Sequence, residues 1–149
     1  MLLFNSSVRP LSQRTCLHYF LVLHITRTSK GLFLNQSKYA HDLLAKHNML
    51  TSKPAQTPCA PNLKLTPTDG IPLADPHPYR GLVGSSHYLT FTRPDLSFAV
   101  HQVWQFMQSP TDIHLVAAKR ILQYVNGTSH FGVFLQPGPF TFSAFLDFD

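Results

Sequence analysis

The stretch YLTFTRPDLSFAV, Tyr88 to Val100, decides how the chain is read. Apolar residues recur at helical spacing on both sides of Arg93-Pro94-Asp95. The residue before a proline is pushed out of the α region, so a helix arriving from the left stops near Thr92. Pro94 suits a first helical position, where its missing N–H would have had no intrahelical partner. Asp95 beside it complements the positive helix terminus. The tripeptide is thus a boundary, with helices predicted from about Tyr79 to Phe91 and from Pro94 to Gln108.

Ser109-Pro110-Thr111-Asp112 repeats the device and opens a third helix, closed by Asn126-Gly127. Such short loops predict an antiparallel three-helix bundle. At about 100° per residue, Tyr79, Leu82, Val83, Ser86 and Leu89 share the core side of the first helix. Arg80, Gly84 and Tyr88 share the opposite side. An exposed mid-helix glycine costs about 1 kcal/mol relative to alanine, and the core does not require this one. Close approach by another backbone would explain it, a nucleic-acid groove being one candidate; a tolerated surface glycine is the alternative. The second helix offers a plain core stripe of Leu96, Ala99, Val100, Val103, Phe106 and Met107. On the third, Leu115, Ala118, Ile121, Leu122 and Val125 face inward. Lys119, Arg120 and Gln123 face outward, where the basic pair could meet phosphates or simply water.

Upstream, residues 51–78 hold seven of the 12 prolines, a density that suits an extended connector rather than helix or central strand. Before it, Tyr19 to Arg27 reads as a strand with Leu21, Leu23 and Ile25 on one face. A Thr28-Ser29-Lys30-Gly31 turn returns it through Leu32-Phe33-Leu34. Asn35 is placed to cap a helix reaching about Asn48, with Tyr39, Ala40, Leu43, Leu44 and His47 as its stripe. Residues 1–16 show no clean period. After the bundle, His130 to Leu135 and Thr141 to Asp147 read as strands around a Pro-Gly-Pro turn. The fold class is α+β.

The 149 residues carry 12 Lys and Arg against seven acids, all of them aspartates, for a net charge of +5. That surplus favours polyanions as partners. Cys16 and Cys59 form no Cys-x-x-Cys, which suits a reducing compartment; no disulfide framework or zinc site is expected. The acid-free start shares features with an organelle transit peptide, but Tyr19 to Arg27 reads better as a strand. No apolar run reaches the roughly 18 residues of a membrane span, so no membrane partner is expected. Nine histidines lack metal-binding spacing, and neither a serine elbow nor a glycine-rich phosphate loop occurs. Neither a metal site nor a small-molecule ligand is expected.

Four stretches together resemble the Pol polyprotein of copia-type retrotransposons: LHYFLVLHITRTSKGLFLNQSKYAHDLLAKHNML (17–50), SKPAQTPCAPNLKL (52–65), YRGLVGSSHYLTFTRPDLSFAV (79–100) and KRILQYVNGTSHFGVFL (119–135). SAFLDFD (143–149) is similar to that family's entry into ribonuclease H. The resemblance implies a palm remnant over 1–50, a connector over 51–78, a thumb-like three-helix bundle over 79–127 and a truncated ribonuclease H-like unit from 128. It also implies that Arg80, Gly84 and Tyr88 match a glycine-centred track laid into the minor groove of an RNA or DNA template–primer duplex. Asp147 matches the first ribonuclease H carboxylate. Intact members hold Mg²⁺ on clustered acids, including a Tyr-x-Asp-Asp hairpin that these residues do not contain. Polymerase activity is therefore not expected of this stretch alone, and no cofactor is expected. A non-catalytic binding module using Arg80, Tyr88, Lys119 and Arg120 is the second reading, and a product that never folds stably the third. Val22 and His24 stand where the family usually has Gly and Glu, and Ser86 where it commonly has leucine. An unpartnered buried hydroxyl at Ser86 would cost about 1–3 kcal/mol.

Overall fold

The Arg93-Pro94-Asp95 boundary forms as the sequence requires. A computed structural model describes residues 19–20, 22–61 and 63–138. Four strands, β1 (Tyr19–Phe20), β2 (Leu23–Thr28), β3 (Gly31–Asn35) and β4 (Gly132–Leu135), make one antiparallel sheet in the order β1-β2-β3-β4. Four helices lie between β3 and β4 in the chain: α1 (Ser37–Lys46), α2 (His77–Leu89), α3 (Ser97–Trp104) and α4 (Asp112–Gly127). A 3₁₀ turn, Pro94–Leu96, leads into α3. The α+β class stands.

The first strand departs from its reading. Val22 has φ 67°, and the chain doubles back so that Tyr19 pairs with His24 and Phe20 with Leu23. Leu21 lies outside the described residues, so the expected shared face is described only for Leu23 and Ile25. Those two are half-buried on β2, whose register with β3 sets Ile25 opposite Leu34, itself opposite Val133 of β4. β4 thus pairs with the N-terminal hairpin, and both edges of β3 are paired. A Cβ on Gly132 would collide with the Leu34 carbonyl oxygen, so this pairing needs a glycine. The second expected tail strand, with Asp147, lies outside the described residues, as does Cys16.

Helix ends shift for identifiable reasons. Gln36, not Asn35, is the N-cap of α1; the Asn35 Oδ1 instead accepts from the Ser37 N–H and hydroxyl, at 3.3 and 3.1 Å. The second bundle helix ends at Trp104, earlier than Gln108, and Met107 N–H donates to the Trp104 carbonyl as the chain turns. The start of α4 is more elaborate than its sequence suggests. Thr111 Oγ1 accepts from His114 N–H, while His114 Nδ1 accepts from Thr111 N–H at 3.1 Å. That leaves Nε2–H to donate to the Thr66 carbonyl at 3.0 Å, and the buried ring stacks on Phe106, 3.9 Å between centroids. A histidine here completes a reciprocal capping box usually closed by Glu or Gln.

One core gathers Ala40, Leu43 and Leu44 of α1 with Tyr79, Leu82, Val83, Val100, Val103, Ile121, Leu122 and Val125 of α2, α3 and α4. The proline-rich segment between α1 and α2 has no helix or strand, yet it is not a free tether. Cys59, Leu65 and Leu73 pack against the core, and Pro72 bridges to Thr111. Proline denies it regular structure; apolar side chains still give it somewhere to lie.

Candidate nucleic-acid interface

Five side chains hold α2 in place. Tyr79, Leu82, Val83, Ser86 and Leu89 are all buried, as the helical period requires. The Tyr79 hydroxyl donates to the Val103 carbonyl at 2.6 Å, and burial pushes its pKa well up. Ser86 is satisfied within its own helix: Oγ donates to the Leu82 carbonyl at 2.9 Å. The hydroxyl therefore carries no orphan penalty, and the core side of α2 is fixed.

Arg80, Gly84 and Tyr88 consequently run along the other side, one turn apart. A Cβ built on Gly84 meets nothing within 4 Å, and the same holds for Gly81. Packing inside this chain does not ask for glycine at either place. Arg80 is exposed, but its guanidinium is oriented: Nε donates to Met107 O at 2.9 Å and Nη2 to Gln108 O at 3.2 Å. Tyr88 is half-buried, edge-on to Tyr39 at 5.2 Å and to Phe91 at 5.8 Å. On α3, Trp104 stacks obliquely on His87 at 5.0 Å. The glycine floor thus has the Tyr39–Tyr88 aromatic pair and the His87–Trp104 pair as neighbours, and the rigid scaffold beneath it is the bundle core.

Lys119 and Arg120 do not form the free basic face expected of them. Lys119 is exposed, but Arg120 is half-buried, with Nη2 donating to Thr57 Oγ1 at 3.1 Å. Ala55 N–H donates to the Gln123 carbonyl, so the proline-rich segment lies across this part of α4. Arg120 Nε is buried without a partner. Helical periodicity could not reveal that a distant irregular segment would cover this face.

The residues that sequence reasoning undervalued are those of the boundary itself. Arg93 is buried, and its Nε and Nη2 grip Asp95 Oδ1 and Oδ2 at 2.9 and 2.7 Å. Nη1 and Nη2 also donate to the Thr128 carbonyl and hydroxyl, both at 2.8 Å. The guanidinium lies 5.5 Å from the Tyr124 ring centroid and 5.3 Å from that of Phe131. The Tyr124 hydroxyl donates to Asp95 Oδ2 at 3.0 Å, and Thr92 Oγ1 donates to Gln36 Oε1 at 2.8 Å. Partial burial raises the Asp95 pKa, but Arg93 and Tyr124 outweigh it and hold the carboxyl below its ordinary value. The stretch joins the α2–α3 corner to the α1 entry and the α4 exit. Its one sequence sign was an arginine two positions from an aspartate.

Comparison with known proteins shows the family. The chain is 49% identical over 142 residues to the Retrovirus-related Pol polyprotein from transposon RE1 of Arabidopsis thaliana, covering 91% of this chain. It is 53% identical over 122 residues to the corresponding polyprotein from transposon RE2 of the same plant, covering 82% of this chain. This chain belongs to the copia-type retrotransposon Pol polyproteins, as a fragment of one. It spans 10% of the RE1 polyprotein and 8% of the RE2 polyprotein. An uncharacterized mitochondrial protein of Arabidopsis thaliana is also similar, 40% identical over 152 residues, matching all of this chain and 62% of that protein. No family model matches, and no solved structure matches.

Metal-dependent polymerisation would need clustered carboxylates. Among the described residues no group of three or more His, Cys or acidic side chains could hold a metal ion. Each described carboxylate already has local work. Asp95 pairs with Arg93, and Asp112 Oδ1 accepts from Ile71 and Ile113 N–H. Asp69 accepts from Thr66 N–H, Asp75 pairs with His77, and Asp42 lies beside His41. The described residues do not fit a two-metal centre.

Proposed function

We propose that this Pol fragment is the part of a copia-type reverse transcriptase where the palm runs into the thumb, and that it grips a nucleic-acid duplex without catalysing its extension. β1 to β3 and α1 are then the palm remnant, α2 to α4 the thumb, and residues 143–149 the entry into ribonuclease H. The partner is an RNA or DNA template–primer duplex, with Arg80, Gly84 and Tyr88 as the contact track. Lys119 adds charge at longer range, while Arg120 serves the fold. These residues bind no cofactor of their own under this reading.

One observation carries the proposal: Gly84 lies mid-helix with open space where its Cβ would be. The chain pays a helix-propensity cost there that nothing inside it explains, so an outside surface that must come close supplies the reason. Gly84→Ala separates this from a tolerated glycine. The variant should be more stable by about 1 kcal/mol, read from the urea midpoint, yet bind a duplex more weakly by fluorescence anisotropy. Binding of the parent chain should also weaken steeply with added salt, as phosphate contacts require. If Gly84→Ala gains stability and binds unchanged, the track is not a contact surface.

A further inference from the structure

A second feature lies beside that track and plays no part in it. Ser97, His101 and Trp104 of α3 fall on one stripe, and with His87 and Thr90 at the end of α2 they line a groove of about 570 Å³. Trp104 keeps 42% of its surface exposed, a large apolar area for a side chain that packing could have covered. Neither imidazole has a hydrogen-bond partner among the described residues, whereas the Thr90 hydroxyl is turned to the His87 carbonyl at 2.7 Å. No carboxylate lines the groove. Between Asp75 and Asp112 the sequence has one acid, Asp95, and Arg93 neutralises it. A partly exposed indole beside imidazole and hydroxyl donors, with no acid to repel phosphate, is the chemistry that receives a single nucleotide.

We infer that this groove holds an unpaired nucleotide of a single strand running off the duplex, its base stacked on Trp104 and its phosphate taken by His87, His101 and Ser97. The inference rests on the duplex reading above, because the groove adjoins the α2 track through His87. It differs in demanding an unpaired base, since an indole can stack only on a base that is not already stacked inside a helix.

Trp104 is the one tryptophan in the chain, so its emission reports on this groove alone. Two duplexes of equal paired length are compared with the full chain, one blunt and one carrying a short single-stranded overhang. Affinity is read by anisotropy of a label on the oligonucleotide, and Trp104 emission is read in parallel. The overhang should tighten binding about tenfold and quench Trp104. His101→Ala, an exposed position that should leave the far-UV circular dichroism unchanged, should reduce both effects. Trp104→Leu should abolish the preference for the overhang while blunt-duplex binding persists. Equal affinity for both duplexes with unchanged Trp104 emission overturns the groove and leaves the duplex track standing. Absence of binding to either duplex overturns both. If Trp104→Leu fails to fold, His101→Ala decides the matter: full overhang preference in that variant counts against the groove.

Discussion

Val22 is a β-branched residue held at φ 67°, a left-handed conformation that costs an L-residue roughly 1–2 kcal/mol. The family resemblance placed glycine at this position, and the β1–β2 turn supplies the physical reason. Val22→Gly should therefore raise stability by about 1 kcal/mol, after allowing for the greater freedom glycine brings to the unfolded chain. Urea denaturation checks this, and a midpoint that stays put or falls would contradict the turn. Asp95 makes a prediction of opposite sign. Its folded pKa is depressed, so its contribution is complete above the unfolded value of about 4 and is lost as pH falls through the folded one. Asp95→Asn should be less stable than the parent at pH 6 and should converge on it as the pH falls through the folded value. Parallel stability curves across that range would show that the Arg93 pair contributes nothing. The sequence made Arg93-Pro94-Asp95 legible as a boundary, because proline acts on its immediate neighbours. It could not make Arg93 legible as a hub, because Thr128, Tyr124 and Phe131 reach it only after folding.

Among the elements, the sequence pattern matches α4 and runs past the end of α3. Both outcomes trace to the signals that start and stop helices. The sequence marks Thr111 as part of a boundary but hides the capping box, because the partner three residues on is His114 and not Glu or Gln. Thr111→Ala should lower stability by about 1 kcal/mol, measured as a fall in thermal midpoint. Thr111→Ser, which keeps the hydroxyl acceptor, should restore most of it. Loss in both variants alike would mean that the methyl group, not the cap, is what the site needs. In α3 the apolar period continues through Phe106 and Met107, yet the helix stops at Trp104. Phe106 is buried against His114 from a turn, a packing solution that periodicity reads as one more helical step. The hairpin shows the reverse case. Alternation over Tyr19 to Arg27 looked continuous, and a left-handed residue at Val22 breaks it.

At the scale of the molecule, the bundle and α1 share one core, a cluster that holds Leu44 together with residues from all three later helices. Leu44→Ala should cost about 2–5 kcal/mol and should shift the unfolding transition reported by Trp104, which sits on α3. A Trp104 transition that ignored Leu44 would mean that α1 and the bundle melt separately. The 30 residues between α1 and α2 did not keep them apart, since Cys59, Leu65 and Leu73 lay the intervening segment against the core. Sequence by itself determined the α+β class, the three bundle helices, the core side of α2 and the family, because each depends on short-range periodicity, proline and glycine stereochemistry, or direct residue identity. Tertiary structure alone decided that β4 joins the N-terminal hairpin, that Arg120 is tied to Thr57, that Arg93 is buried, and that Trp104 lies beside His87. Those pairings join residues far apart in the chain, or on different helices, and the energy of such a contact exists only once the backbone has brought its two ends together.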